Sequence, residues 1–330
     1  MKIRVALASI ACLLVFTACE NELDLTGEYV ETPVVIGLLN YNSDTQFVRI
    51  NKTFLEKDAN AEKLAKDPNQ LVYDTLTTFL VNQSNNHKDT LKTILRKKDK
   101  GVFSNEKNVL YYTTSPLSMG NNYQLVIETP TGLVARAVTR TIDTVEINRP
   151  ELQTRKQDIA LKNFNNKFMN YNFRLSYPAE VARFEIKMYL LYEEVTSQGR
   201  EKKSVGVHVA TIDNSELRAG KDIDIPYNGE QFYQAVAFAI PKDGIRREVA
   251  LNNSIKIEIY AADSDFRFYS NLNGPIDGLS QVRPEYSNIE NGIGVFASRT
   301  SSIGYTQLNQ MSRQELLSGP ITAGRGFVNP

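Results

Sequence analysis

Tryptophan is absent from this chain of 330 residues, cysteine and histidine occur twice each, and acidic and basic side chains are equal in number at 38. Each scarcity excludes something. His87 and His208 stand apart from any cysteine in the body of the chain, so zinc-ligand spacing is missing. A serine triad would need one of them, and no G-x-S-x-G elbow is present. The glycines at Gly319, Gly324 and Gly326 lack a Lys-Ser/Thr partner, which rules out a phosphate loop. Balanced charge argues against nucleic acid as a partner, because phosphate backbones are bound by an excess of cations. Cys12 and Cys19 both lie at the start, so everything after them has no thiol and no disulfide and must be held by core packing. The one long apolar run, Val5 to Phe16, has about a dozen residues, whereas a membrane-spanning helix needs roughly 20.

That run is flanked by Lys2 and Arg4 before it and by Thr17-Ala18-Cys19 after it. A basic start, a short apolar centre and small residues ahead of a cut are the marks of a removable signal, here residues 1–18. The segment Phe16-Thr17-Ala18-Cys19 resembles the lipobox of bacterial lipoproteins, with Phe16 where Leu is usual. The resemblance implies cleavage between Ala18 and Cys19 and lipidation of the Cys19 thiol. The bland alternative is an ordinary signal cut near Ala18 beside an incidental cysteine. Acyl chains contribute about 0.8 kcal/mol per buried methylene, so two or three hold a protein firmly. Glu20-Asn21-Glu22-Leu23-Asp24 follows at once and resembles the anionic export signal of Bacteroidetes surface lipoproteins, although an acidic solvated tether over residues 19–32 has the same composition. The expected address is the outer membrane, facing the cell exterior.

Tyr and Phe are plentiful, and Thr, Val and Ile recur in short runs, a mixture suited to half-buried strands. Strand signals cover Val34 to Leu39, Thr45 to Phe54, Leu71 to Val81, Thr90 to Arg96, Val109 to Thr113, Tyr123 to Glu128 and Leu133 to Thr141. Within the second, Val48 and Ile50 share one face and Arg49 and Asn51 the other. Asn60 to Lys66 reads as one or two helical turns ended by Asp67-Pro68. This block, 33–147, reads as an immunoglobulin-like or transthyretin-like sandwich. Residues 148–166 are polar and read as a linker. A second β-rich domain over 167–330 carries strands at Tyr171 to Tyr177, Arg183 to Val195, Lys203 to Ile212, Phe232 to Ile240 and Ser254 to Ala262. Asp263-Ser264-Asp265 is expected to cap a short helix over Phe266 to Leu272. The expected fold class is therefore mainly β: two tandem β-sandwich-like domains with minor helix.

The most specific internal motif is Ser287-Asn288-Ile289-Glu290-Asn291-Gly292-Ile293-Gly294-Val295-Phe296. Together with the Cys19-Glu20 start it resembles an uncharacterised family of Bacteroidetes surface lipoproteins with an S-N-I-x-x-G-x-G-x-F-like segment near the C-terminus. Asn291 stands where that family often has Gly. The resemblance is to a family with no established enzymatic activity, whose members often accompany outer-membrane receptor systems, and it implies such an association here. Physically, Gly292 and Gly294 read as points where the backbone bends or another segment passes close, with Val295-Phe296 returning to the core.

Other candidate residues have ordinary readings. Asp263-Ser264-Asp265 lacks the downstream spacing of a calcium loop. Asp222 and Asp224 alternate on one strand face toward solvent. Glu193 and Glu194 are adjacent strand residues and point to opposite faces, so they do not form a carboxylate pair. Arg96 to Gly101 is the densest basic run and reads as a solvated hairpin tip. Thr75, Thr90 and Thr144, each preceded by Asp and followed by Leu or Val, resemble the three-residue O-glycosylation signal of Bacteroidetes and are candidate glycan sites.

No cofactor, metal or catalytic residue is expected. The expected function is a non-enzymatic accessory to a TonB-dependent receptor or nutrient-capture system, with that receptor or another envelope protein, or a peptide or glycan, as partner. The alternative is an adhesion or envelope-structure lipoprotein without a small-molecule ligand. Cys19→Ala should move the protein from the membrane fraction to the soluble fraction; continued membrane retention would sink the lipid reading.

Overall fold

The computed structural model describes residues 30–54, 60–97, 99, 101, 103–104, 106–152, 156–213, 222–273 and 286–330. The signal, Ala18, Cys19 and nearly all of the tether lie outside the described residues.

In chain order the elements are β1 (Pro33–Leu39), β2 (Gln46–Lys52), α1 (Ala61–Ala65), α2 (Pro68–Leu71), β3 (Thr77–Asn82), β4 (His87–Thr90), β5 (Lys92–Leu95), β6 (Val109–Thr113), β7 (Asn122–Glu128), β8 (Val134–Arg140) and β9 (Glu146–Arg149). There follow β10 (Asn170–Ser176), β11 (Arg183–Thr196), β12 (Gly199–Asp213), β13 (Ile223–Asn228), α3 (Gly229–Ala239), β14 (Arg246–Glu248), β15 (Ile255–Ala262), α4 (Ser264–Asn273), β16 (Ile293–Thr306), α5 (Gln310–Ser318) and β17 (Phe327–Val328). The fold is mainly β. Among the described residues no helix is long and apolar enough to cross a membrane.

One ten-stranded sheet runs through the molecule in the order β17-β14-β11-β15-β16-β1-β2-β6-β5, with β12 on the far side of β11. A four-stranded sheet, β4-β3-β7-β8, and a three-stranded sheet, β13-β10-β9, complete the set. Two cores result. In the first, Val35, Leu39, Val48, Ile50 and Tyr111 of the long sheet meet Leu80, Leu125, Ile127 and Ala135 of the four-stranded sheet. In the second, Phe184, Ile186, Met188 and Leu190 of β11, with Ile255, Ile257 and Ile259 of β15, meet Phe173 and Leu175 of β10 and the helices α3 and α5. Strict alternation along β11 puts its even-numbered residues from Phe184 to Tyr192 in that core. Each such side chain contributes roughly 1.5–3 kcal/mol relative to exposure.

The blocks expected as separate domains share this sheet. β1, near the start, pairs in parallel with β16, near the end, in the register Val34↔Ile293 through Leu39↔Ser298. The motif residues Ile289 and Phe296 therefore belong to the first core, beyond the expected 33–147 boundary. The stretch expected as a linker is packed: Ile159 and Leu161 are fully buried in the second core, and the Ile159 N–H donates to Gln307 O at 2.8 Å.

Two local expectations are corrected. Phe232 to Ile240 lies in and just past α3 rather than in a strand. Phe232, Tyr233, Val236 and Ile240 are buried at helical spacing, and the Asn228 side chain accepts from Glu230 N at the N-cap. Phe238, which strand alternation would have buried, is 96% exposed. Asp67-Pro68 ends α1 but also starts α2, with Asp67 capping and Pro68 in the first turn. That helix consumes the first residue of the expected Leu71 to Val81 strand, leaving β3. Asp263 caps α4 as expected, its Oδ1 accepting from Phe266 N at 3.0 Å.

Gly294 has a φ of +114°, and a side-chain carbon there would run into the Val35 carbonyl of β1. Gly294→Ala should thus lower stability by about 2–4 kcal/mol, seen as a drop in the urea midpoint. An unchanged midpoint would show that the β1–β16 approach is not constrained at this glycine.

Candidate functional site

Two features singled out in the sequence meet at one place. Asn288 of the motif accepts from Phe296 N at 2.9 Å through its Oδ1 and donates to Phe296 O at 2.8 Å through its Nδ2, folding the glycine-containing loop back on itself. The same Nδ2 donates to Asp265 Oδ2 at 3.0 Å, and Tyr286 donates its hydroxyl to Asp265 Oδ1. Next to it, Asp263 Oδ2 accepts from Ser298 N at 2.6 Å and from the Thr139 hydroxyl at 3.0 Å. Ser298 Oγ in turn accepts from Ile142 N at 3.0 Å. This polar knot joins α4, β16 and β8, where the two cores adjoin. Burial pushes the Asp263 carboxyl up to about 6, against the hydrogen bonds it accepts, and the Asp265 charge adds to the rise. Every oxygen of the pair has a structural partner, so the knot orders backbone rather than presenting groups to a ligand.

The outward face of the long sheet is different. Cross-strand rows there are Glu185↔Tyr260↔Ser301, Lys187↔Glu258↔Ile303 and Tyr189↔Lys256↔Tyr305 across β11, β15 and β16. Residues directly opposite share a face, so these nine side chains form one patch opposite the second core. Glu258 accepts from Lys256 Nζ and from the Tyr260 hydroxyl, each at 2.8 Å. Burial alone would raise its carboxyl, but these donors, with Tyr189, hold it below the usual carboxylate range. Burial, and then the Glu258 acceptor, push Tyr260 up to about 12. Lys256 lies 4.2 Å from the Tyr189 ring centre, Lys187 sits 3.1 Å from Glu185, and His208 Nδ1 is 3.3 Å from the same carboxylate. Ile303 is 56% and Tyr305 44% exposed. The patch offers rigid aromatic edges, an apolar knob and internally neutralised charges, the composition of a contact surface.

The remaining sequence candidates are scattered. Thr75 and Thr90 are exposed, in a bend and at the end of β4. Thr144 is half-buried and donates its hydroxyl to Asp143 at 3.2 Å. His87 opens β4 and is exposed, and His208 lies in β12. Glu193 and Glu194 separate as expected, the first at 3.2 Å from Arg200 and the second at 3.0 Å from Arg247. Asp224 pairs with Arg174 at 2.6 Å on the exposed face. Lys98 and Lys100 of the basic run lie outside the described residues. No group of three or more His, Cys, Asp or Glu among the described residues is placed to hold a metal ion.

Two buried charge clusters were not visible in the sequence. Arg247 is 1% exposed, and its guanidinium donates to Asp243, Glu194 and the Arg325 carbonyl. Lys162, from the expected linker, pairs with Glu315 of α5 beneath Phe168. In each, a lone charge reads as solvated surface until its partner from a distant segment is placed.

The sequence profile of a domain of unknown function, DUF4249, matches residues 20–302. The chain belongs to the DUF4249 family. That span takes in the anionic segment, the first core, the motif and the second core except for Leu308, Leu316 and Phe327. No curated protein matches. Among solved structures, this DUF4249 chain is similar to the C-terminal globular domain of an oligosaccharyltransferase from Pyrococcus abyssi. The identity is 11% and the TM-score 0.23, over 68% of this chain and 49% of that one. At that score the similarity bears on neither fold nor activity.

The Asp263 knot sets a pH test. A carboxyl raised in the folded state contributes stability that is present below its unfolded value near 3.8 and is lost as pH rises through about 6. Chemical denaturation at pH 4 and pH 7.5 should show the wild-type advantage over Asp263→Asn shrinking at the higher pH. A constant difference would mean that Asp263 titrates as an ordinary surface carboxyl.

Proposed function

We propose that this DUF4249 chain is a surface lipoprotein of Bacteroidetes type that works by binding, as an accessory to a TonB-dependent receptor or nutrient-capture system in the outer membrane. Cys19 carries the lipid anchor, and the acidic residues behind it direct the body to the cell exterior and hold it off the membrane. The observation that carries this reading is the outward face of the long sheet. Its patch of Tyr189, Tyr260, Ile303 and Tyr305 is not covered by any other element among the described residues, and its charged groups are already neutralised by one another. A partner can therefore cover it at a small desolvation cost, since no isolated charge would be stranded.

Affinity capture of the tagged full chain from solubilised outer membranes should recover a TonB-dependent receptor or another envelope protein. Ile303→Asp, which places a charge in the middle of the patch at an exposed position, should abolish that recovery without loss of folding. Recovery of no envelope partner by the wild-type chain would sink the accessory reading in favour of adhesion or envelope structure. Equal recovery by both chains would move the contact off this face.

A further inference from the structure

The same outward face changes character beyond β16. Across β1, β2 and β6 it forms a cleft of about 590 Å³ walled by Ile36, Leu38, Phe47 and Leu110, with Arg49 and Arg299 among its lining. Arg49 stands opposite Ile36 in the β1–β2 register, so its stem crosses the apolar floor. Its Nε is buried and has no hydrogen-bond partner. No carboxylate forms an ion pair with Arg49 or Arg299 among the described residues, whereas guanidiniums elsewhere on this sheet, such as Arg200 and Arg247, each have one. A third cation, Arg96, lies over the Phe47 ring at 5.8 Å. A buried N–H donor left without an acceptor is costly. Two guanidiniums in the lining of a cleft with an aliphatic and phenyl wall therefore favour an anion that brings its own hydrophobic body.

We infer that this cleft binds the terminal carboxylate of a peptide whose last side chain is apolar. A carboxylate matches the planar fork of a guanidinium and can bridge two of them. The single acidic residue in the lining, Asp44, is exposed at the rim. There it opposes a doubly charged phosphate but can accept from a peptide N–H upstream of the terminus. Asn40, Ser43, Thr45 and Gln46 complete the lining, but the side chains of Asn40, Ser43 and Gln46 are engaged within their own turn. The aliphatic and phenyl walls and the guanidiniums are therefore what a ligand meets, and they suit a hydrophobic side chain better than a sugar ring. This inference rests on the capture reading above and narrows it, assigning the tyrosine patch to the protein partner and the arginine cleft to the cargo.

The test is calorimetric titration of the full chain, held in lipid nanodiscs, with N-acetyl-alanyl-phenylalanine and with its C-terminal amide. The free acid should bind and the amide should bind at least about tenfold more weakly. Arg49→Gln and Arg299→Gln, at positions without an ion pair among the described residues, should each weaken the acid by roughly 10- to 100-fold, the span of a charged hydrogen bond. Lys88→Gln, on the four-stranded sheet, should leave it unchanged. Equal binding of acid and amide, no binding of either, no effect of Arg49→Gln, or equal displacement by inorganic phosphate would each overturn the inference. Capture from outer membranes with the wild-type chain separates the two levels. A wild-type chain that recovers the receptor but binds no peptide removes the cleft assignment alone; one that binds the peptide but recovers no envelope partner removes the accessory reading alone.

Discussion

The parallel pairing of β1 with β16 is the constraint on which the rest depends. It joins residues 259 positions apart, as Leu39 and Ser298 are, and without it the two cores would each end in an open sheet edge. The approach is close enough that glycine is required on both strands. Gly294 takes a backbone conformation that side chains rarely adopt, and Gly37 leaves room for the Phe296 ring, whose nearest carbon would lie 2.9 Å from an added Cβ. Phe296 then completes the first core. One strand pair thus runs a single long sheet through both cores, and it does so without a disulfide, because residues 20–330 contain no cysteine.

The polar knot follows from that pairing. Once β16 lies beside β1, the loop before it and the helix after β15 are brought to the seam, and their backbone amides need acceptors. Asp263 and Asn288 supply them, and Asp265 holds the Asn288 amide and the Tyr286 hydroxyl in place. The motif is therefore explained by backbone order: each of its specific residues either bends, caps or fills. Burying Asp263 raises its carboxyl, so the seam is tighter with the proton on, a cost accepted for a fixed loop.

Much of this was legible residue by residue. Alternation placed Val48 and Ile50 inward and Arg49 outward, located β6 to the residue and set the helix cap at Asp263. What was not legible depends on distant partners. The span Phe232 to Ile240 contains apolar residues at both strand and helix spacing, and only the Asn228 cap and the packing of Tyr233 against α5 decide for helix, through the Tyr233 hydroxyl donating to Ser312 O at 2.8 Å. Lys162 looked solvated because its partner, Glu315, is 153 positions away. The parallel β1–β16 pair has no short-range signature at all, which is why two domains were read where one sheet runs through.

The division of labour between the faces of the long sheet follows from the same economy of means. A chain with no disulfide must place its large apolar side chains inward, on two cores, and Phe184, Ile186, Ile257 and Phe296 show that it does. The outward positions of the same strands carry no such demand, yet beside two lysines and two glutamates they hold three tyrosines and an isoleucine that an idle surface would not require. Toward β11 they are tyrosines around a neutralised carboxylate. Toward β2 they include Arg49, which has no ion pair among the described residues, beside Phe47. Half-buried aromatic rings and a buried, unpaired Nε are both unfavourable for an isolated protein, whose folding would be served as well by simpler residues. They lie on one face that the β1–β16 pairing makes continuous, so the seam that holds the cores together also puts the tyrosine patch and the arginine cleft, the two surfaces proposed for recognition, on the same side of one sheet.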